Sequence, residues 1–127
     1  MKQLFVLLFL PFSGNCQAQF QVSDASLKID TSTLITPCDC NTAAITYGKE
    51  VIAILEEVKR IQKKGPEMPL LYEEKRKRDE KHYEFFTRCM PILNAEGAQR
   101  ICPDNAEGEA MEKKLTALEK ELKAIKN

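Results

Sequence analysis

The chain has 127 residues, with 19 basic and 19 acidic side chains, one histidine, no tryptophan and five cysteines. That length fits one domain, and a formal charge of zero leaves no basic excess to neutralise phosphates, so nucleic acid is not an expected partner. The five glycines are dispersed, so there is no Gly-rich loop to cradle a nucleotide phosphate.

The first residues point to a compartment. Lys2 precedes the apolar run "LFVLLFLPF", Leu4 to Phe12, and small or polar residues, "SGNCQAQ", follow it. This is the order of charge, apolar core and cleavage region in a secretory signal peptide. The run is about half of the ~20 residues that span a bilayer. No later stretch is long and apolar enough to anchor the chain, so stable membrane insertion after cleavage is not expected. Cleavage after Ala18 sets Cys16 and Ala18 at the two positions that must be small. The expected organisation is a signal peptide over 1–18, an arm over 19–35 and a helical domain over 36–127.

A competing reading makes Cys16 a lipid-bearing first residue, which resembles bacterial lipoprotein processing. Asn15 and Ser13 stand where that processing wants a small and an aliphatic residue. The short Lys-led leader and its "QAQ" junction look like those of bacterial exported proteins, which implies secretion or a periplasmic location. Loss of Lys2 leaves 18 bases against 19 acids, a net charge of −1. Four cysteines remain. An even count in a short exported chain reads as disulfides, and a core this poor in aromatic residues benefits from such staples.

The arm, "QFQVSDASLKIDTSTLI", is rich in Ser and Thr and lacks a helical period, so it reads as a flexible N-terminus. Leu27 and Ile29 alternate with polar neighbours, and a short strand added to a partner's sheet edge is the alternative.

The first helix is predicted to start at Thr36. Thr36 can cap, Pro37 fits the first helical position, and Asp39 can complete a capping box. Cys40, Ala44, Tyr47, Val51, Ile54, Val58 and Ile61 then recur at spacings of 4, 3, 4, 3, 4 and 3, one apolar seam. Ile45, Ile52 and Leu55 broaden it, so the helix should pack against more than one neighbour. Its end is expected at "KKGP", where Gly65 suits the left-handed position and Pro66 cannot continue.

A second helix is predicted from Pro69 to Met90, ended by Pro91. Its first half, "EEKRKRDEKH", reads as a solvated face or as a docking site for a partner's charges. Its second half, with Tyr83, Phe85, Phe86, Cys89 and Met90, reads as buried. After a loop from Pro91 to about Pro103, Asp104 and Glu107 form a second cap and box pair. Met111, Leu115, Leu118, Leu122 and Ile125 follow at spacings of 4, 3, 4 and 3. Packing inside the monomer is the plain reading of that stripe, and dimerisation is its alternative. Gly108 weakens the first turn.

The fold class is therefore all-α: an antiparallel helical hairpin plus a third helix, disulfide-stapled at one end, with a flexible N-terminal arm. The first helix is about 40 Å long and the second returns about 30 Å of that. Cys89 is thereby brought back to the Cys38 and Cys40 end, with Cys102 in the adjacent loop. Side chains two apart on a helix diverge, so Cys38 and Cys40 should reach different partners. Cys40 and Cys89 both lie on apolar seams. The expected bridges are Cys40–Cys89 and Cys38–Cys102, with the swapped pairing as runner-up. Four thiolates on a metal ion is the functional alternative, but structural zinc sites pair ligands two to four residues apart on both sides, and Cys89 and Cys102 are not so spaced.

No cofactor is expected, and nothing assembles an active site in the sequence. His82 is the only histidine, in a partly exposed stretch of the second helix. Ser23, Ser26 and Ser32 all lie in the arm, where nothing would hold a hydroxyl against it. The carboxylates fall at polar helix positions without apolar surroundings to raise their pKa, and three helices with a thin core leave little room for a pocket. The sequence thus reads as a small exported, non-catalytic interaction or structural protein of the bacterial cell envelope, binding a protein partner or forming a homodimer. A small-ligand or metal-ion carrier is the second reading, and a secreted effector or enzyme the third.

Overall fold

The computed structural model describes residues 20–61, 67–95 and 106–126. The leader over 1–18, the lipidation alternative at Cys16, the turn at Gly65 and Pro66, the Asp104 cap and Cys102 lie outside the described residues. Three α-helices carry the fold: α1 (Pro37–Ile61), α2 (Met68–Leu93) and α3 (Ala106–Lys126).

The capping box at the start of α1 forms as the sequence predicts. The Asp39 amide donates to Thr36 Oγ1 at 3.1 Å, and the Thr36 amide donates to Asp39 Oδ2 at 2.9 Å. Hydrogen bonds from the Thr36 amide, and then from the Ile35 amide, hold the Asp39 carboxyl below its ordinary pKa.

α2 runs antiparallel to α1, because contacts advance along one helix as they retreat along the other. Cys40 meets Cys89, Tyr47 meets Asp79 and Glu50 meets Arg78. Ile54 and Val58 then pack with Leu71. α2 passes through Pro91 to Leu93 rather than stopping at Met90. Proline removes one backbone bond, but the last turn still closes, with the Asn94 amide donating to Met90 O at 3.0 Å. The extra turn packs Ile92 against the Phe85 and Cys89 cluster, which offsets part of the cost.

α3 lies along the other flank of α1. Leu118 is buried with Val51, Ile52 and Leu55, and Met111, Leu115 and Leu122 pack around them. The broadened α1 seam therefore serves two neighbours. Gly48 marks a close approach, since a Cβ placed there would fall 1.9 Å from Met111 Sδ. α2 and α3 both pack extensively on α1, far more than on one another. Ion pairs Lys49–Glu107 (2.6 Å), Lys114–Glu56 and Lys59–Glu121 flank the α1–α3 seam. All are exposed, so each contributes well under ~1 kcal/mol.

The arm forms two short 3-10 turns, Ala25–Lys28 and Thr31–Thr33. It packs on the hairpin from Phe20 onward rather than standing off it. Phe20 and Val22 rest on the Ile54 cluster, Ile29 and the buried Leu34 join the Cys40 cluster, and Ser26 is fully buried. Among the described residues no helix is long and apolar enough to cross a membrane.

Candidate functional site

α2 presents one face to α1, made by Leu71, Lys75, Arg78, His82, Phe85, Cys89 and Ile92 at spacings of 4, 3, 4, 3, 4 and 3. Its two ends are apolar and its middle is charged. Each polar member must therefore find a partner within the hairpin, because an unpaired polar group away from water costs ~1–3 kcal/mol and an unpaired charge more.

Arg78 is the most consequential of them. Its side chain is 1% exposed and that of Glu50 is 3%. Arg78 Nε donates to Glu50 Oε1 at 2.9 Å, Nη1 donates to Glu74 Oε1 and to the Glu74 carbonyl, and Nη2 donates to the Ser23 carbonyl at 2.6 Å. Glu50 is completed from the arm: the Ser26 amide donates to Oε2 at 2.9 Å, the Ser26 hydroxyl to Oε1 and the Ser23 hydroxyl to Oε2. Hydrogen bonds from Arg78 and then Lys77 lower the Glu74 pKa. The charged run is thus not a purely solvated face, and Ser26 is not on a free segment.

Beside this pair stands a second polar group. Tyr47 donates its hydroxyl to Asp79 Oδ1 at 2.8 Å, Lys75 Nζ donates to Asp79 Oδ2 at 2.7 Å, and the His82 ring stacks on Tyr47 with centroids 4.1 Å apart. Burial, then the Asp79 hydrogen bond, push the Tyr47 pKa well up. Burial lowers that of His82, against the opposing charge of Asp79. Tyr47, Asp79 and Lys75 satisfy one another, whereas His82 joins them by stacking.

The sulfur chemistry is oxidised. Cys40 and Cys89 form a disulfide with Cα atoms 5.9 Å apart. Cys38 is disulfide-bonded as well, and the partner expected for it, Cys102, lies outside the described residues. With these sulfurs bonded, the four-thiolate metal set is not formed. Among the described residues no group of three or more His, Cys, Asp or Glu is arranged to hold a metal ion.

Several concavities are present among the described residues where a thin core promised little room. One, about 960 Å³, opens at the far end of the hairpin between the arm (Phe20, Val22) and Arg60, Ile61, Leu70 and Glu74. Another, about 250 Å³, is a cleft between α1 (Asn41, Ala44, Ile45, Tyr47) and α3 (Met111, Glu112, Leu115), with His82 of α2 among its lining residues. The second half of α2, read from sequence as buried, divides. Phe85 and Cys89 are buried, whereas Tyr83 (71%), Phe86 (52%), Met90 (37%) and Leu93 (42%) are exposed. These four recur at spacings of 3, 4 and 3, so they form a stripe along one side of the helix. Sequence reasoning missed it because two apolar sets interleave in one segment; their separate seven-residue periods were the available signal. No protein-family model, curated protein or solved structure matches the chain.

Proposed function

We propose that the protein is a small exported, non-catalytic interaction module of the bacterial cell envelope, which binds a protein partner through α2 or self-associates there. The observation that carries this reading is the exposed stripe Tyr83, Phe86, Met90 and Leu93. Apolar residues scattered singly on a surface need no explanation, but a contiguous row of large ones marks an interaction site.

The surfaces that the sequence offered a partner are largely engaged within the monomer. The arm is bonded to Glu50 and Arg78. Met111, Leu115, Leu118 and Leu122 pack against α1. The outward charges of α2 pair with one another, Arg76 with Glu73 and Glu80, and Lys77 with Glu74. The Cys40–Cys89 bond supports export, because disulfides persist in oxidising compartments.

Two measurements test the reading together. Light scattering reports self-association, and capture from a solubilised envelope fraction, with Phe86→Asp as control, reports partners. A protein that is strictly monomeric and captures nothing beyond the Phe86→Asp background would overturn it.

A further inference from the structure

We propose that residues 20–34 are a gate on the Cys40–Cys89 disulfide. Seated, the arm keeps the bond from dithiols; lifted, it admits them while the three helices stay packed. The gate requires no partner, so it stands apart from the interaction reading above.

The sulfurs are closed in part by the arm. Cys40 is 4% exposed and Cys89 5%, in one cluster with Ala43, Phe85 and Leu34, and Ile29, Tyr47 and Ile92 pack against it. Leu34 and Ile29 belong to the arm, and every other member lies on α1 or α2. These two are therefore the part of the cover that can leave without a helix moving. A disulfide opens by attack of a thiolate on one sulfur, and access limits the rate.

The arm is also the least anchored layer of that cover. Of residues 20–34 only Ser26 and Leu34 are buried. The seat of Ser26 is a pair of hydrogen bonds to Glu50, the Ser23 carbonyl accepts from Arg78, and the Leu34 carbonyl accepts from the exposed Arg88. α1, by contrast, buries Val51, Ile52, Ile54, Leu55 and Val58. A segment with few buried apolar contacts opens locally at a lower free energy than the whole fold. Ile35 and Thr36 stay with α1, because their amides donate to Asp39. Lifting thus ends at Leu34 and leaves the helix start intact.

The reduction balances with a dithiol as the reductant. Its thiolate attacks one sulfur of the pair and forms a mixed disulfide there, and the other cysteine leaves as a thiolate and takes up a proton. The second thiol of the reductant then displaces the protein sulfur, which gives a cyclic disulfide and two protein thiols. The bond ties the start of α1 to the end of α2, where Met90 and Leu93 stand. The gate therefore decides whether that end of the hairpin can lose its covalent tie.

The test follows reduction of the full, oxidised chain by dithiothreitol in urea below the unfolding transition. Timed alkylation with mass spectrometry of the Cys40 and Cys89 peptides reads this bond apart from the one at Cys38. Lifting the arm exposes little surface, so the wild-type rate should vary little with urea, whereas global unfolding would impose the full equilibrium slope. Leu34→Ala removes the cover and Ser26→Ala weakens the seat, and each should speed reduction about tenfold or more. Leu118→Ala lowers global stability from the α1–α3 seam, outside the sulfur cluster, and should leave the rate unchanged.

A rate that follows the full unfolding slope would overturn the gate. So would failure of either arm variant to accelerate reduction, or an acceleration by Leu118→Ala equal to that by Leu34→Ala.

Discussion

Truncating Glu50 to alanine should be among the most damaging single changes available in this chain. The substitution leaves Arg78 at 1% exposure without its main counter-charge, and it orphans the Ser26 amide and hydroxyl that Glu50 accepts. Removing one partner of a buried ion pair costs about 3–5 kcal/mol, and an orphaned buried donor adds ~1–3 kcal/mol where water cannot reach it. Arg78 still has the Glu74 carboxylate and the Ser23 carbonyl, which holds the estimate to about 4 kcal/mol. A domain of this size has only about 5–15 kcal/mol in total. The double replacement Glu50→Leu with Arg78→Met removes both charges and should recover at least half of the loss, since apolar replacement of a complete pair is often neutral. Urea unfolding followed by circular dichroism reads both numbers, and an unchanged slope certifies that stability alone has moved. If Glu50→Ala lost less than about 0.5 kcal/mol, the range of an ordinary surface substitution, the pair would be standing in water and the burial argument would be refuted.

Three further outcomes follow from other parts of the fold. Cys40→Ser opens a loop with a sequence separation of 49, so it should cost about 4 kcal/mol by chain-entropy reasoning and make Cys89 reactive to alkylation; an unchanged melting temperature would contradict the bridge. Gly48→Val places a side chain where Met111 Sδ now sits and should destabilise by about 1–3 kcal/mol, with Met111→Ala restoring part of the loss in the same background; an additive pair would show that the two residues do not touch. Because burial lowers the folded-state pKa of His82, the unfolded chain binds its proton more readily, so this contribution is intact above the ordinary histidine pKa and is lost as pH falls below it. The stability difference between wild type and His82→Gln should therefore be larger at neutral pH than near pH 5, and a difference that grows on acidification would reverse the assignment.

What could be read from the sequence was set by how far polarity tracks burial. The α1 seam is apolar at nearly every position, so its spacing alone gave the helix, its broad face and the need for two neighbours. The Thr36 and Asp39 box was legible because capping is chemistry local to four residues. α2 misled because three consecutive seam positions, Lys75, Arg78 and His82, are polar, and Arg78 and His82 nevertheless meet Glu50 and Tyr47 of α1. A method that scores hydrophobicity discards the very residues that make that contact, and only the seven-residue period survives to mark it. The arm was illegible for a related reason: its seating depends on Ser26 finding Glu50 at a separation of 24 residues, and no local pattern encodes such a pairing. The candidate site was half legible. Its residues were named as apolar, but their division between core and surface depends on the rotation of α2 about its own axis, which those charged contacts set.

The polar middle of the hairpin has one role that the disulfide cannot perform. A covalent bond between Cys40 and Cys89 already forbids a one-turn slip of α2 along α1, so the Glu50–Arg78 pair is not needed to choose that register. What the pair does is present unfilled hydrogen-bonding capacity toward the arm: two carboxylate oxygens that take three donors from Ser23 and Ser26, and a guanidinium nitrogen that takes the Ser23 carbonyl. An apolar contact such as Phe20 or Val22 on the Ile54 cluster is satisfied by many placements of the chain. A bidentate set of donors and acceptors is satisfied by very few, which is how a buried ion pair contributes specificity where it contributes little net stability. The arm in turn sets Leu34 over Cys40 and Phe85, and its carbonyl accepts from Arg88 Nε at 3.0 Å. Seating the arm therefore shields the cluster around the disulfide from water, so loss of the Glu50–Arg78 pair should also expose the Cys40–Cys89 bond to reductant, a coupling that runs through residues 23–34 as well as through the two helices.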